Sequence, residues 1–256
     1  MTDLLRLEGI GKLFGGIVAL DQVSFAVQRG CIQGLIGPNG AGKTTLFNVI
    51  TGFYSADRGH LFLNDERCPD PATPFAMSRL GIARTFQNIR LFAQMTVRDN
   101  VLVGRFMHRG SGLLDSVLRT RRFREDEQRQ LRFAEECLER MHLLHRADDV
   151  ASSLSYGEQR RLEIARALAT EPMLLALDEP AAGMNAQETE ELGSKLEQLR
   201  REGLTLLLVE HDLPWVTRLC DRVAVLDFGR LVINDVPAVI QRHPKVLQAY
   251  LGMGET

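Results

Sequence analysis

Apolar positions along the chain follow two rhythms. Short β-rich runs at Leu4–Ile10, Val23–Val27 and Ile32–Ile36 are separated by Gly15-Gly16 and Gln28-Arg29-Gly30, which read as turns. Ile32–Ile36 leads straight into a glycine-rich loop. Beyond it Leu46, Val49 and Ile50 recur at helical spacing within Lys43–Ile50. The expected unit is strand, loop, helix.

The middle of the chain changes character. From Asn88 to Ser153 no run reads as a buried strand. Thr96 with Asp99 three residues on resembles a capping box, so a helix is expected from there to about Met107. A polar stretch over Arg109–Arg124 follows. Glu125–Leu144 then reads as a charged amphipathic helix with Leu131, Ala134, Leu138 and Met141 on one face. The last third returns to strands and helices. Met173–Leu177 and Leu204–Val209 are unbroken apolar runs, as parallel strands covered on both faces require. Ala186–Arg201 reads as the helix between them, and Val223–Leu226 with Leu231–Ile233 as a hairpin across Asp227–Arg230. The reading is an α/β core with a β-rich N-terminal edge and an inserted α-helical subdomain. It is one domain over 1–256, divided into 1–87, the insertion 88–153, and the C-terminal core part 170–256.

Composition narrows the classes. The 256 residues are 45% hydrophobic and 25% charged, an ordinary globular balance. A formal net charge of −2 argues against nucleic acid as partner. No apolar run approaches the roughly 18 residues that span a bilayer, and the first eleven residues lack the apolar core of a secretory leader. The four cysteines, Cys31, Cys68, Cys137 and Cys220, lie far apart and read as reduced thiols of a cytosolic protein. His142 and His145 are spaced i, i+3, which suits a surface helix pair or, with further ligands, a metal pair. Arg119, Arg121, Arg122 and Arg124 make either a solvated basic face or a contact for anionic lipid headgroups.

The chemistry is concentrated in three places. Gly37-Pro38-Asn39-Gly40-Ala41-Gly42-Lys43-Thr44, followed by Thr45, fits the phosphate-loop pattern. Its glycines let backbone N–H groups face phosphates at a helix N-terminus. Lys43 is expected on the β- and γ-phosphates and the Thr44 hydroxyl on Mg²⁺. Leu174–Pro180 is a buried strand ending in Asp178-Glu179-Pro180. Asp178 suits the magnesium shell there, and Glu179 can orient or deprotonate the attacking water. The third place is Leu154-Ser155-Tyr156-Gly157-Glu158-Gln159, running into Arg160–Leu168. This run resembles the signature sequence of ABC ATPases and the helix after it, with Tyr156 in place of a glycine and Glu158 in place of a glutamine.

That resemblance extends over essentially the whole chain. It implies that Ser155 and Gly157, with Tyr156 and Glu158 beside them, face the γ-phosphate held by a second ATPase chain. It matches Gln87 of Thr85-Phe86-Gln87 to the glutamine that touches magnesium and water, and His211 to the switch histidine on the γ-phosphate. Phe14 matches the aromatic that stacks on adenine, with Val18 as its neighbour. Asn185 stands where most members carry an aspartate in the D-loop. The chain is most similar to the ATPases of branched-chain amino-acid importers, through Phe14–Leu20, Ala83–Phe92, Leu154–Leu168, Glu179–Asn185, Pro244–Gly252 and the insertion around Gly104–Arg132. The resemblance implies ATP and Mg²⁺ as cofactors and a second ATPase chain as partner, either a paralogue or a copy. It also implies two transmembrane permeases and, indirectly, a periplasmic binding protein. The chain is then expected on the cytoplasmic face of the bacterial inner membrane. The rival readings are a lipopolysaccharide-export ATPase and a non-transport ABC ATPase. A small-molecule kinase would leave Leu154–Gln159 unexplained.

Overall fold

The computed structural model describes residues 2–108, 110 and 120–251. The described residues form two units, 2–84 with 173–180 and 196–251, and 85–108, 110 and 120–172 with 181–195.

The first unit is built on two sheets. A six-stranded sheet has the order β10-β9-β3-β8-β7-β6, with β3 Ile32–Ile36, β6 Ile82–Arg84, β7 Leu174–Asp178, β8 Thr205–Val209, β9 Arg222–Asp227 and β10 Arg230–Asp235. Its strands run parallel from β6 through β9, and β10 closes the edge antiparallel, as the expected hairpin. Every residue of β3, β7 and β8 is buried. Leu-Leu-Ala-Leu and Thr-Leu-Leu-Leu-Val read as unbroken apolar runs because both faces are covered, and each fully buried leucine contributes about 1.5–3 kcal/mol.

A four-stranded antiparallel sheet, β2-β1-β4-β5, forms the N-terminal edge from β1 Asp3–Phe14, β2 Ile17–Gln28, β4 Arg58–Leu63 and β5 Glu66–Arg67. β1 and β2 are longer than the apolar runs suggested. Gly15 and Gly16 both take positive φ (51° and 90°), the primed two-residue turn that lets pairing continue to Phe14 opposite Ile17 and Leu13 opposite Val18. Leu5, Leu7, Ile10, Val23 and Val27 of this sheet share one apolar cluster with Leu35, Phe47, Ile50, Ala176 and Leu207.

The second unit is helical and contains the expected insertion. Thr96 caps the helix Val97–Gly104 by accepting from the Asp99 N–H at 3.0 Å, and a 3₁₀ turn continues it to His108. The long helix starts at Arg121, where Thr120 accepts from the Phe123 N–H and caps it, and ends at Arg140, two residues before His142 turns to φ 53°, so it is earlier than expected at both ends. It buries Ala134, Cys137 and Leu138. The unit is wider than 88–153, since the helix Tyr156–Leu168 and the segment 181–195 belong to it.

His142 and His145 do not share a helix. His142 follows the long helix at φ 53°, with its Nε2 2.5 Å from Lys195 Nζ, and His145 sits in a 3₁₀ turn. No group of three or more metal-binding side chains is present among the described residues. Arg119 lies outside the described residues. Arg121 pairs with Glu125 at 2.8 Å, and Arg122 donates to the Gly110 carbonyl. All four cysteines are free and buried, and burial pushes Cys31 and Cys68 to about 11 and Cys137 to about 12. No helix among the described residues is long and apolar enough to cross a membrane.

Candidate nucleotide-binding site

In the sheet unit, β3 delivers the chain into the loop 37–42, and the helix Lys43–Ile50 carries it away. Backbone crowding forces the glycines here. A methyl on Gly37 would stand 2.2 Å from the Leu226 carbonyl oxygen, and one on Gly42, at φ 99°, 2.7 Å from the Ala19 carbonyl oxygen. Gly229, in the β9–β10 turn, donates its N–H to the Ala41 carbonyl at 3.0 Å, so the hairpin holds the loop from behind. Gly37→Ala is therefore expected to cost about 1–3 kcal/mol, the range for overpacking. Thermal denaturation should show a Tm lowered by about 2–10 °C. An unchanged Tm would mean that the loop yields without penalty.

Lys43 is 8% exposed and its ammonium curls back into the loop, donating to the Gly37 carbonyl at 2.7 Å and the Pro38 carbonyl at 3.0 Å. Burial lowers its pKa, while the carboxylates of Glu179 and Asp178 pull it back up. Lys43 thus lies in the field of both acids. Asp178 ends β7, with its carboxylate buried and 4.0 Å from the Arg84 guanidinium. Arg84 is fixed between the rings of Phe47 and Phe53, 4.7 and 4.3 Å from their centroids. It donates to Asn48 Oδ1 at 2.9 Å and Thr51 Oγ1 at 3.0 Å. Sequence reasoning missed this cation beside the strand-end acid. Phe47 and Asn48 on the helix after the loop, with Thr51 and Phe53 just past its end, were its trace.

Glu179 follows at φ 45°, rare for a non-glycine residue, and its N–H donates to the Val209 carbonyl at 3.0 Å. Thr44 is exposed at the start of its helix and Thr45 half-buried. His211 is exposed just past β8, with its Nδ1 3.7 Å from the buried Glu210 carboxylate. Phe14, 40% exposed at the hairpin tip, packs edge-on to Tyr54 with centroids 5.2 Å apart, and Val18, opposite Leu13 in the same hairpin, is exposed.

In the helical unit, Ser155 caps the helix Tyr156–Leu168 through a reciprocal pair. Its hydroxyl accepts from the Glu158 N–H at 3.3 Å, and Glu158 accepts from the Ser155 N–H at 2.8 Å. Glu158 at the glutamine position therefore completes a capping box. Burial pushes the Glu158 carboxyl up, but its Ser155 hydrogen bonds, with Arg146 and Arg161 nearby, hold it below the usual range. Asn185 makes the same reciprocal contact with Glu188, at 2.9 and 3.0 Å, so the amide caps without a charge. Gly157 is buried against Glu188, whose Oε1 would lie 2.7 Å from an added methyl. Gln87 is exposed, and the Arg160 guanidinium holds its backbone carbonyl at 2.8 Å. Arg160 and Glu163, buried beneath this segment, were the other residues missed.

A parallel sheet that feeds a lysine-bearing glycine loop, with two acids at the end of a core strand one place removed in the same sheet, defines a P-loop nucleotide-binding core. A family model described as ABC transporter matches residues 20–182, and the chain belongs to that family and is an ATPase. It is 44% identical to the high-affinity branched-chain amino acid transport ATP-binding protein LivG of Salmonella typhimurium, over 97% of this chain and 98% of the relative. It is 40% identical to the corresponding BraF protein of Pseudomonas aeruginosa, over the same shares. The ADP conformation of an ATP-binding cassette of an ABC transporter superposes with a TM-score of 0.86 at 34% identity, covering 98% of this chain and all of that one. A dimeric bacterial ABC transporter cassette gives 0.76 at 26% identity, over 91% of this chain and 99% of that one.

Proposed function

We propose that this chain binds ATP with Mg²⁺ and hydrolyses it to power an importer of branched-chain or related amino acids. The observation that carries the chemistry is Lys43, buried within the phosphate loop and in the field of Asp178 and Glu179. The cargo rests on end-to-end similarity to transport ATP-binding proteins of that class. The same similarity ranks export and non-transport readings behind it.

Phe14 and Val18 offer the adenine an apolar surface, and the loop 37–42 with Lys43 cradles the phosphates. The exposed Thr44 hydroxyl and the Asp178 carboxylate are hard oxygen donors of the kind Mg²⁺ takes, so these residues fit that ion, and the family resemblance adds Gln87 as a further oxygen donor. Mg²⁺ would neutralise charge on the phosphate oxygens. Arg84 sets a positive charge beside the Asp178 carboxylate, 4.0 Å away. Glu179 orients and deprotonates the water, and His211 contacts the γ-phosphate. Thr45, next to Thr44, closes the phosphate-binding run.

Ser155 spends its oxygen lone pair on its own helix cap, which leaves its hydroxyl proton to donate to a phosphate oxygen. Ser155, Tyr156, Gly157 and Glu158 are assigned to the nucleotide of a second ATPase chain, a paralogue or a copy, with Asn185 at the junction. Two permeases would hold the pair at the cytoplasmic face of the membrane and receive cargo from a periplasmic binding protein. The composite site gives a test. Specific activity should rise with protein concentration, and Ser155→Arg should lose at least about tenfold of it, as loss of a phosphate-facing donor does. ATP affinity of the monomer should not change. Activity independent of concentration and indifferent to Ser155→Arg would show that one chain hydrolyses ATP alone.

A further inference from the structure

Arg160 and Glu163 are the most deeply buried charges of the helical unit, 0% and 1% exposed, and they pair at 2.9 Å. Burial pushes the Glu163 carboxyl up in spite of Arg160 and two backbone donors, Arg90 and Phe86. Taking two ions out of water costs several kcal/mol each, and apolar side chains of similar volume often serve stability as well or better. Stability does not account for this pair.

The remaining hydrogen bonds of both side chains point to one place. Arg160 Nη1 donates to the Phe86 carbonyl at 2.6 Å and Nη2 to the Gln87 carbonyl at 2.8 Å. Glu163 Oε1 accepts from the N–H groups of Phe86 and Arg90, both at 3.3 Å. Residues 85–92 form neither helix nor strand. One helical turn of the signature helix therefore grips an irregular segment by four backbone contacts, on both sides of the Gln87 side chain. The grip continues towards the helix N-terminus. Arg160 Nη2 also donates to the Tyr156 hydroxyl at 3.4 Å, and the guanidinium lies 6.0 Å from the centre of that ring. The Tyr156 ring packs on the D-loop: a methyl on Gly183, at φ 78°, would stand 3.3 Å from Tyr156 Cε1.

We propose that Arg160 and Glu163 are positioning residues that lock the backbone around Gln87 to the signature helix, and that Tyr156 carries the same lock to the D-loop at Gly183. Gln87, Ser155 and Asn185 then answer as one body: the segment that senses magnesium and water cannot shift without the segments assigned to the partner's nucleotide. This rests on the ATPase reading above. None of the three locking residues touches the reacting atoms in cis, so their contribution is placement. A misplacement of about 1 Å can cost on the order of 100-fold in rate.

The test replaces the pair by apolar side chains of similar size, Arg160→Met with Glu163→Leu, in the full chain. Backbone amide exchange is read by mass spectrometry on the nucleotide-free protein. Exchange should accelerate at 86–90 and also at 181–185, and a structural role confined to the first segment would leave the second unmoved. ATP affinity and KM should stay within about twofold, because Phe14, Lys43 and Thr44 lie in the other unit, while kcat falls about tenfold or more. Arg160→Lys should not rescue, since one ammonium has three donors on a single nitrogen and cannot reach the four acceptors of Phe86, Gln87, Glu163 and Tyr156 that the guanidinium fork spans. Glu163→Gln keeps an acceptor and should recover part of both effects. A folded double variant with kcat within about twofold of the parent, or with unchanged exchange at 181–185, overturns the proposal. If the double variant does not fold, Glu163→Gln alone decides: faster exchange at both segments with lowered kcat supports the lock, and parental values for either overturn it. Failure of the parent chain to hydrolyse ATP with its partner ATPase chain present would instead sink the ATPase reading, and the exchange measurement stands apart from it.

Discussion

Glu179→Gln should lower steady-state hydrolysis by about 10²–10⁴-fold, the usual worth of a general base, and leave ATP binding nearly as tight as in the parent. The amide has the shape of the carboxylate but cannot take a proton. The backbone at 179 is held by the N–H donated to Val209, and its left-handed conformation is set by the strand end and not by the side chain, so glutamine should occupy the same place. Lys43, which feels the Glu179 charge, remains in its loop. The measurement is single-turnover hydrolysis at saturating nucleotide beside an equilibrium binding titration. A rate loss smaller than about threefold would remove Glu179 from the base role and leave water activation to another group.

Lys43→Ala is expected to fail in the opposite way. An ammonium that donates to Gly37 and Pro38 at 2.7 and 3.0 Å can turn to phosphate oxygens with little rearrangement, and burial makes each charged hydrogen bond there stronger than in water. Losing about 1.5–3 kcal/mol of charged hydrogen bonding corresponds to roughly 10- to 100-fold weaker ATP binding. Calorimetric titration of the monomer checks this, and ATP should also raise the Tm of the variant less than that of the parent. Parental affinity in Lys43→Ala would place the triphosphate away from residues 37–44.

The two variants therefore separate binding from chemistry within one sheet unit, and they rest on the part of the chain that was most legible. Gly37–Thr44 and Leu174–Glu179 announce themselves because each combines a buried strand with residue types that the strand itself does not need. The parallel strands β7 and β8 could be read directly, since covered faces leave no polar alternation. β4, β5 and β6 could not. Arg58–Leu63 mixes histidine and glycine into its run, and Ile82–Arg84 is three residues long. The start of the long helix was hidden because its cap, Thr120, sits in an arginine-rich stretch that looks like loop. Arg160 and Glu163 escaped notice for another reason. An i, i+3 pair of opposite charges on a helix ordinarily marks a solvated face. Yet Arg160 shares a helical stripe with the buried Ile164, Ala167 and Leu168, and charge on an apolar stripe is the signal that could have found it. Arg84 carried no such stripe, because β6 is too short to show one.

The strand order also governs how the protein is made. β3 occupies the middle of its sheet, yet both of its neighbours, β8 and β9, come from the far end of the chain. Roughly 170 residues separate Ile36 from Thr205, which a ribosome adding about 5–20 residues per second needs some 10 to 30 seconds to deliver. Until then the phosphate loop emerges on a strand with neither edge paired. The leucine runs of β7 arrive before β8, the strand that joins them to β3, has been synthesised. Nascent chains therefore hold β3 with both edges open, and β7 with only its β6 edge pairable, so that Leu35 and Leu177 stay without strand partners until Thr205–Val209 arrives.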